Sequence, residues 1–298
     1  MDDSQWLADR FEEHRSHLRA VAYRMLGSLA EADDAVQDAW LRLSRTGSEG
    51  IDNLGGWLTT VVARVCLNVL RSRNIRREQS IETQLPDPIV TLEGALQPED
   101  EAILADSVGL ALLVVLDTLA PAERLAFVLH DMFQLPFEEI APMVGRTPTA
   151  ARQLASRARR RVKGAELPAS DPDLARQRQV VDAFFSAARG GDFEGLVALL
   201  DPDVVLRADL GARRPPTAAP AQLHGAEAVA SQAIRFATPR ARLHPALVNG
   251  AAGVVVTVGG RPFSVMGFTV VDGRIVEIDA IGDAERVQRI ASAVLGDA

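Results

Sequence analysis

Cysteine is almost missing from this 298-residue chain. Cys66 stands alone, which excludes an internal disulfide and suits a reducing compartment. Lysine is as scarce, since Lys163 is the only one and the remaining cations are arginines. A GC-rich coding bias explains that as well as nucleic-acid binding does, so only the placement of arginines carries information. No long apolar run exists. The longest, Val108 to Leu116, is bounded by Asp106 and Asp117 and falls short of the roughly 20 residues a membrane span needs. The start, with Asp2, Asp3 and Gln5, carries no apolar leader. A soluble, cytoplasmic protein with no membrane partner is expected. His14, His17, His130, His224 and His244 are scattered, and no Walker-type loop occurs, so neither a metal nor another cofactor is expected. The net charge of −8 removes any global pull toward nucleic acid, so contact with DNA has to come from local basic patches.

Apolar residues make up 47% of the chain, enough for more than one core. Two proline-marked breaks divide it: Thr83 to Pro98, with Pro86 and Pro88, and Gly164 to Asp173, with Pro168 and Pro172. No internal repeat is visible. Residues 5–80 and 99–163 show helical periodicity, with Leu18, Val21, Ala22, Met25 and Leu26 on one face of the first helix. The last segment changes character. An amphipathic helix from Leu174 to Arg189 precedes strand-like runs at Val204–Ala208, Gly253–Val258, Pro262–Val271 and Arg274–Ala280. Gly259-Gly260 and Asp272-Gly273 suit primed hairpin turns, so this segment is predicted to be α+β with an antiparallel meander.

In the middle segment Phe137, Ile140, Met143 and Val144 form one face of a short helix. Gly145 is placed to end it in the left-handed conformation. Thr147 then serves as N-cap, with Pro148 at the first helical position. The second helix turns Leu154, Ala158 and Val162, flanked by Ala151 and Ala155, inward. Thr149, Arg152, Gln153, Ser156, Arg157 and Arg160 share its outer face. This is a helix-turn-helix plan with bidentate readers on the outside. Arg159, Arg160, Arg161 and Lys163 form a tail suited to phosphates. A solvated surface helix is the competing reading of the same stripe.

In the first segment, Glu31, Asp33, Asp34, Gln37 and Asp38 make an acidic helical stretch that runs into Trp40, Leu41 and Leu43. Asn53-Leu54-Gly55-Gly56 is read as a loop, followed by a helix that opens at Trp57-Leu58 and carries Thr59, Thr60, Arg64, Asn68, Arg71 and Arg73. Aromatic, amide and arginine groups on one helix can hold unstacked bases. A core role competes for Trp57.

The stretches AEADDAVQDAWLRL, NLGGWLTTVVARVCLNVLRSR and LAPAERLAFVLHDMFQLPFEEIAPMVGRTPTAARQLASRARRRVK occur in that order over roughly residues 5–165. In this the chain resembles the extracytoplasmic-function-type sigma factors. The resemblance implies a multidomain, mostly helical protein that binds core RNA polymerase and promoter DNA to initiate transcription. It assigns residues 1–82 to a sigma-two domain, 83–98 to a linker and 99–165 to a sigma-four domain. It implies that Asp33, Asp34, Gln37, Asp38 and Leu41 dock on polymerase. Asn53, Trp57, Thr60, Arg64, Asn68 and Arg71 match the minus-ten region. Thr149, Arg152, Gln153, Ser156, Arg157 and Arg160 match the minus-thirty-five readers.

After a second linker, 166–173, residues 174–298 resemble a SnoaL-like cone with a curved antiparallel sheet around a pocket, where a small ligand is conceivable. One group of such sigma factors carries this fusion. It shows a Trp-Leu-Pro-Glu-Pro-Ile linker, an Asp-Gly-Gly-Gly-Lys loop and an Asn-Pro-Asp-Lys-Leu element. Here the linker reads Gln84-Leu85-Pro86-Asp87-Pro88-Ile89 and the loop Asp209-Leu210-Gly211-Ala212-Arg213. The last element is hardly recognisable in Gly282-Asp283-Ala284-Glu285-Arg286. A contact of Leu85, Pro86, Asp87 and Pro88 with Asp209, Gly211 and Arg213 is expected to let the third domain modulate activity in cis, the separation of the two DNA-reading modules being otherwise free. Two rivals stay open: a helix-turn-helix regulator with a ligand domain, and a cyclase- or isomerase-type enzyme using Asp209 and His224 as base and acid. The expectation is that the chain is not an enzyme.

Overall fold

The computed structural model describes residues 3–47, 50–77, 85–93, 109–165, 167–168, 170–211 and 221–296. These fall into two compact units. The first holds the described residues up to Arg77 and those from Leu112 to Leu167; the second holds 85–93, 109–111 and everything from Pro168 on.

The first unit is all helical. It contains α1 (Asp3–Leu26), α2 (Leu29–Thr46), α3 (Leu54–Arg77), all but the first two residues of α4 (Leu110–Asp117), α5 (Pro121–Phe127), a π-helical turn (Val128–Met132), α6 (Phe137–Val144) and α7 (Pro148–Gly164). Leu18, Val21, Ala22 and Met25 of α1 are fully buried, against Ala32, Ala35, Val36, Ala39 and Leu43 of α2 and Leu58, Val62, Cys66 and Leu67 of α3. Burial pushes the Cys66 thiol up to about 12, so it packs as a small apolar group. The two helical modules are not held at a free separation, as the linker composition suggested. They pack as one unit, with α3 against α5 and α6 and α1 against the π-helical turn.

The second unit carries β1 (Val90–Thr91), α8 (Leu174–Gly190), α9 (Phe193–Leu199), β2 (Leu200–Asp209), β3 (Gln222–His224) and α10 (Ala226–Phe236). It continues with β4 (Ala241–Val248), β5 (Ala251–Val258), β6 (Arg261–Val271), β7 (Arg274–Ile281), α11 (Ala284–Ile290) and α12 (Ser292–Leu295). The sheet runs β1-β4-β5-β6-β7-β2-β3. It is mixed rather than purely antiparallel, because β2 lies parallel to β7 with Leu206 opposite Ile278. The connection from β2 to β7 runs through β3, α10 and the strands β4 to β6, long enough for the chain to return in the same direction. Alternation puts Leu206, Val254, Val256, Phe268, Val270 and Ile278 in one core with Val181 and Phe184 of α8, leaving Arg207, Glu277 and Asp279 on the opposite face.

Turn chemistry explains the meander. Gly259-Gly260 and Asp272-Gly273 all have positive φ, as primed turns demand. The β4–β5 hairpin turns at Asn249-Gly250 in the same way. The strand β4 escaped the sequence pattern because Pro245 interrupts it. Pro245 is tolerated there because β1 pairs β4 only at Leu247 and Val248. Part of the expected linker is therefore the edge strand β1, and residues 85–91 are buried throughout.

Candidate nucleic-acid interface

Gly145 closes α6 in the left-handed region (φ 68°, ψ 41°), and the Thr147 hydroxyl accepts the Ala150 N–H at 3.3 Å to open α7. Ala151, Ala155 and Ala158 are fully buried; Leu154 and Val162 are half-buried. Thr149, Arg152, Gln153, Ser156, Arg157 and Arg160 all stand exposed on the other side. Not every arginine is equally available. Arg157 and Arg161 lie 3.7 and 3.5 Å from Glu123, and Arg159 donates to Asp131 at 2.8 Å. Arg160 and Lys163 of the basic tail point to solvent.

The start of α3 differs from the expected loop. The helix begins at Leu54, and Asn53 is its cap, accepting the Gly56 N–H on Oδ1 at 2.9 Å. Gly55 packs closely on His14, whose ring a Cβ at this position would approach to 3.0 Å. The Thr59 and Thr60 hydroxyls donate back to the Gly55 and Gly56 carbonyls. Trp57 and Thr60 are half-buried, while Arg64, Asn68 and Arg71 are exposed; together they form one stripe at helical spacing. Arg73 is structural, for it donates to the Leu26 carbonyl at 2.9 Å and pairs with Glu31.

On α2 the outer face shows Asp33, Asp34, Gln37, Asp38 and Leu41, all exposed. Asp33 is bound by Arg19 at 2.8 Å. Leu41 is 41% exposed, an apolar side chain at the end of an acidic stripe.

Comparison with known proteins agrees with this layout. Residues 10–75 match Sigma-70 region 2, residues 109–162 match Sigma-70 region 4, and residues 181–278 match the SnoaL-like domain. The chain is 44% identical over 206 residues to the ECF RNA polymerase sigma factor SigJ of Mycobacterium tuberculosis, an alignment covering 69% of this chain and 65% of that relative. It is 40% identical over 191 residues to the probable ECF sigma factor SigI of the same species, covering 64% and 66%. The crystal structure of M. tuberculosis SigJ superposes with a TM-score of 0.73 at 35% identity, over 94% of this chain and 97% of that one. The chain belongs to the extracytoplasmic function sigma factor family.

In the second unit of this sigma factor, residues 85–91 are held along their whole length. The Leu85 N–H donates to Asp209 Oδ2 at 2.9 Å, and Ile89 exchanges hydrogen bonds with Asn249 at 2.7 and 2.8 Å. Val90 and Thr91 pair with Val248 and Leu247. Pro86 and Pro88 are buried between these points. The centre of the arrangement is Arg286. Its Nε donates to Asp87 at 2.8 Å, Nη2 to the Leu85 carbonyl at 2.6 Å, and Nη1 to Asp209 in a short bond. Burial disfavours the Arg286 charge, but Asp87 and Asp209 outweigh it and hold the guanidinium pKa above its usual value. Gly211 donates its N–H to Asp209 at 3.0 Å, and Arg213 lies outside the described residues.

Sequence reading missed Arg286, because it sits in the element that departs most from the group's pattern. One signal was available: Asp283, three residues earlier, caps α11 through the Arg286 N–H at 2.9 Å. The proposed acid–base pair of the rival reading is not formed. His224 pairs with Val205, four residues along β2 from Asp209 and hence about 13 Å away, and the Asp209 carboxylate is spent on Leu85, Gly211 and Arg286. Among the described residues no cluster of His, Cys, Asp or Glu could hold a metal ion, and no helix is long and apolar enough to cross a membrane.

Proposed function

We propose that this chain binds core RNA polymerase and directs promoter-specific initiation, acting in the cytoplasm as a binding protein rather than an enzyme. The observation that carries the reading is the presence, in family order, of three solvent-facing surfaces on one chain. Asp34, Gln37, Asp38 and Leu41 of α2 supply a polymerase-docking face, to which Asp33 contributes through its pair with Arg19. The Trp57, Thr60, Arg64, Asn68 and Arg71 stripe, with Asn53 at its cap, supplies minus-ten recognition within residues 1–82. Thr149, Arg152, Gln153, Ser156, Arg157 and Arg160 supply minus-thirty-five recognition within residues 99–165. A plain helix-turn-helix regulator leaves the α2 face without a role.

Modulation in cis by the third domain, residues 174–298, belongs to the same proposal. Its support is the burial of residues 85–91, the chain segment between the two DNA-reading modules, in the unit that the third domain builds. The deciding experiment is transcription in vitro with purified core polymerase and the DNA upstream of the gene. A transcript that appears only when the chain is added supports the reading. Equal output from core enzyme alone overturns it.

A further inference from the structure

Arg152 differs from its neighbours on α7. Arg157, Arg159 and Arg161 are drawn to Glu123 or Asp131, whereas Arg152 has no ion-pair partner among the described residues. Its guanidinium carbon instead lies over the Phe137 ring, 5.2 Å from the centroid. Phe137 is buried at the start of α6 and stacks on His130, with centroids 3.9 Å apart and a tilt of 31°. The His130 Nδ1 lies 2.9 Å from the Leu135 carbonyl. A carbonyl only accepts, so Nδ1 carries the proton and the imidazole plane is fixed. The π-helical turn (Val128–Met132) supplies both His130 to this column and Asp131 to Arg159. Such turns add a residue to the helix and re-aim the side chains around it.

We infer that Phe137 is a positioning residue for base readout, holding Arg152 ready for the DNA, with His130 holding Phe137. The inference rests on the proposed promoter-reading role of α7. The chemistry is specific to a planar cation. A guanidinium drawn over a ring by cation–π attraction spends no N–H donor on it, so its edge of donors stays free. That edge is what bonds guanine O6 and N7 bidentately. A carboxylate partner would orient the arginine too, but would occupy the same donors, which is the state of Arg159. The ring contact thus removes side-chain freedom before binding without blocking the groups that read.

The test uses the full chain with core polymerase and a duplex library randomised across the upstream promoter element. Arg152→Ala is expected to lose preference at one base pair by about fivefold or more. Phe137→Leu, which keeps the core filled, should lower preference at that same base pair by about two- to fivefold, the range of an exposed cation–π contact, and leave other positions unchanged. Phe137→Tyr, which restores the ring face, should recover it. Uniform weakening at all positions by Phe137→Leu, or none at all, overturns the inference. Unchanged preference with Arg152→Ala instead overturns the reading role of α7 and the inference with it. A measurement on the free protein stands apart from folding of the variants: the Arg152 Nε–H proton should resonate upfield through the Phe137 ring current. An ordinary arginine shift there overturns the inference independently.

Discussion

Arg124 donates from Nε and Nη2 to the main-chain carbonyl of Arg24, at 3.2 and 3.1 Å. The acceptor lies in the last turn of α1, where carbonyls lack helical partners and the helix dipole is negative. Nη1 of the same guanidinium pairs with Asp117 at 3.0 Å. Around this point the Arg24 guanidinium lies over Phe133 at 4.9 Å, and His17 meets the same ring edge-on at 5.3 Å. Burial, aided by the His14 and Arg24 charges, lowers the His17 pKa from its ordinary value. A buried cation on a helix C-terminus thus ties the three-helix bundle to the helix-turn-helix part.

Arg124→Met should therefore destabilise the first unit by about 3 kcal/mol, because it removes the buried donors of the Arg24 carbonyl and a charge partner of Asp117. Urea unfolding followed by tryptophan fluorescence reports this, since Trp6, Trp40 and Trp57 all lie in that unit. A change below about 0.5 kcal/mol, the level of a surface substitution, contradicts it.

Asp34→Arg or Asp38→Arg should abolish co-purification with core polymerase and leave the melting temperature nearly unchanged. Both side chains are exposed, so reversal costs the fold about 0.5 kcal/mol or less, whereas like charges at an interface cost several. Normal assembly of a folded variant rules out docking through this face.

The clamp on residues 85–91 calls for a double-mutant cycle on Asp87 and Arg286 rather than on Leu85, whose main chain alone makes the polar contacts. Asp87→Asn and Arg286→Met should couple by about 1–3 kcal/mol in unfolding experiments. Additive effects mean that the ion pair does not hold the segment.

Removing the chain from Asp171 onward takes away the strands and helices that cover residues 85–91. The expected result is rapid proteolysis between the two DNA-reading modules and loss of transcription. Equal transcription by full-length and truncated chains at several promoters rejects regulation in cis.

Asp279 adds a pH dependence of its own. Burial raises its carboxyl from 3.8 to about 6, against the pull of Arg207 and with Glu277 adding to the rise. Below about pH 3 folded and unfolded states are both protonated. As pH rises from there through 6, the unfolded carboxyl ionises freely and the buried one resists, so stability falls by about 3 kcal/mol across that window. Asp279→Asn should remove this fall, seen as a gain on the natural chain in urea midpoints at pH 7 relative to pH 4.5. Parallel curves for the two proteins reject the assignment.

The local elements were legible in the sequence wherever one residue type has a single physical use. Thr147 as cap, Pro148 at the first position and Gly145 in the left-handed region marked the turn before α7. The two glycine-bearing turns marked the ends of β6. Alternating burial on α2 and α7 followed from helical period, so the exposed faces of both were visible as sets of residues. Asn53 does precede the helix, but Leu54, Gly55 and Gly56 were read as loop because glycine at two successive positions normally weakens a helix, which here is started by the Asn53 cap on the Gly56 N–H. Pro245 concealed β4 because its tolerance depends on an edge that stays unpaired.

Sequence alone thus determined the helix faces, the turn positions and the order of the modules, all set by interactions within a few residues. The packing of the two helical modules on Arg124, the parallel pairing of β2 with β7, and the capture of residues 85–91 by Arg286 were decided only in the tertiary structure. Their partners lie 100 or more residues apart for Arg124 with Arg24 and Arg286 with Asp87. No local propensity carries information over that distance. Such contacts form because a buried charge must find its counterpart wherever the fold has brought one.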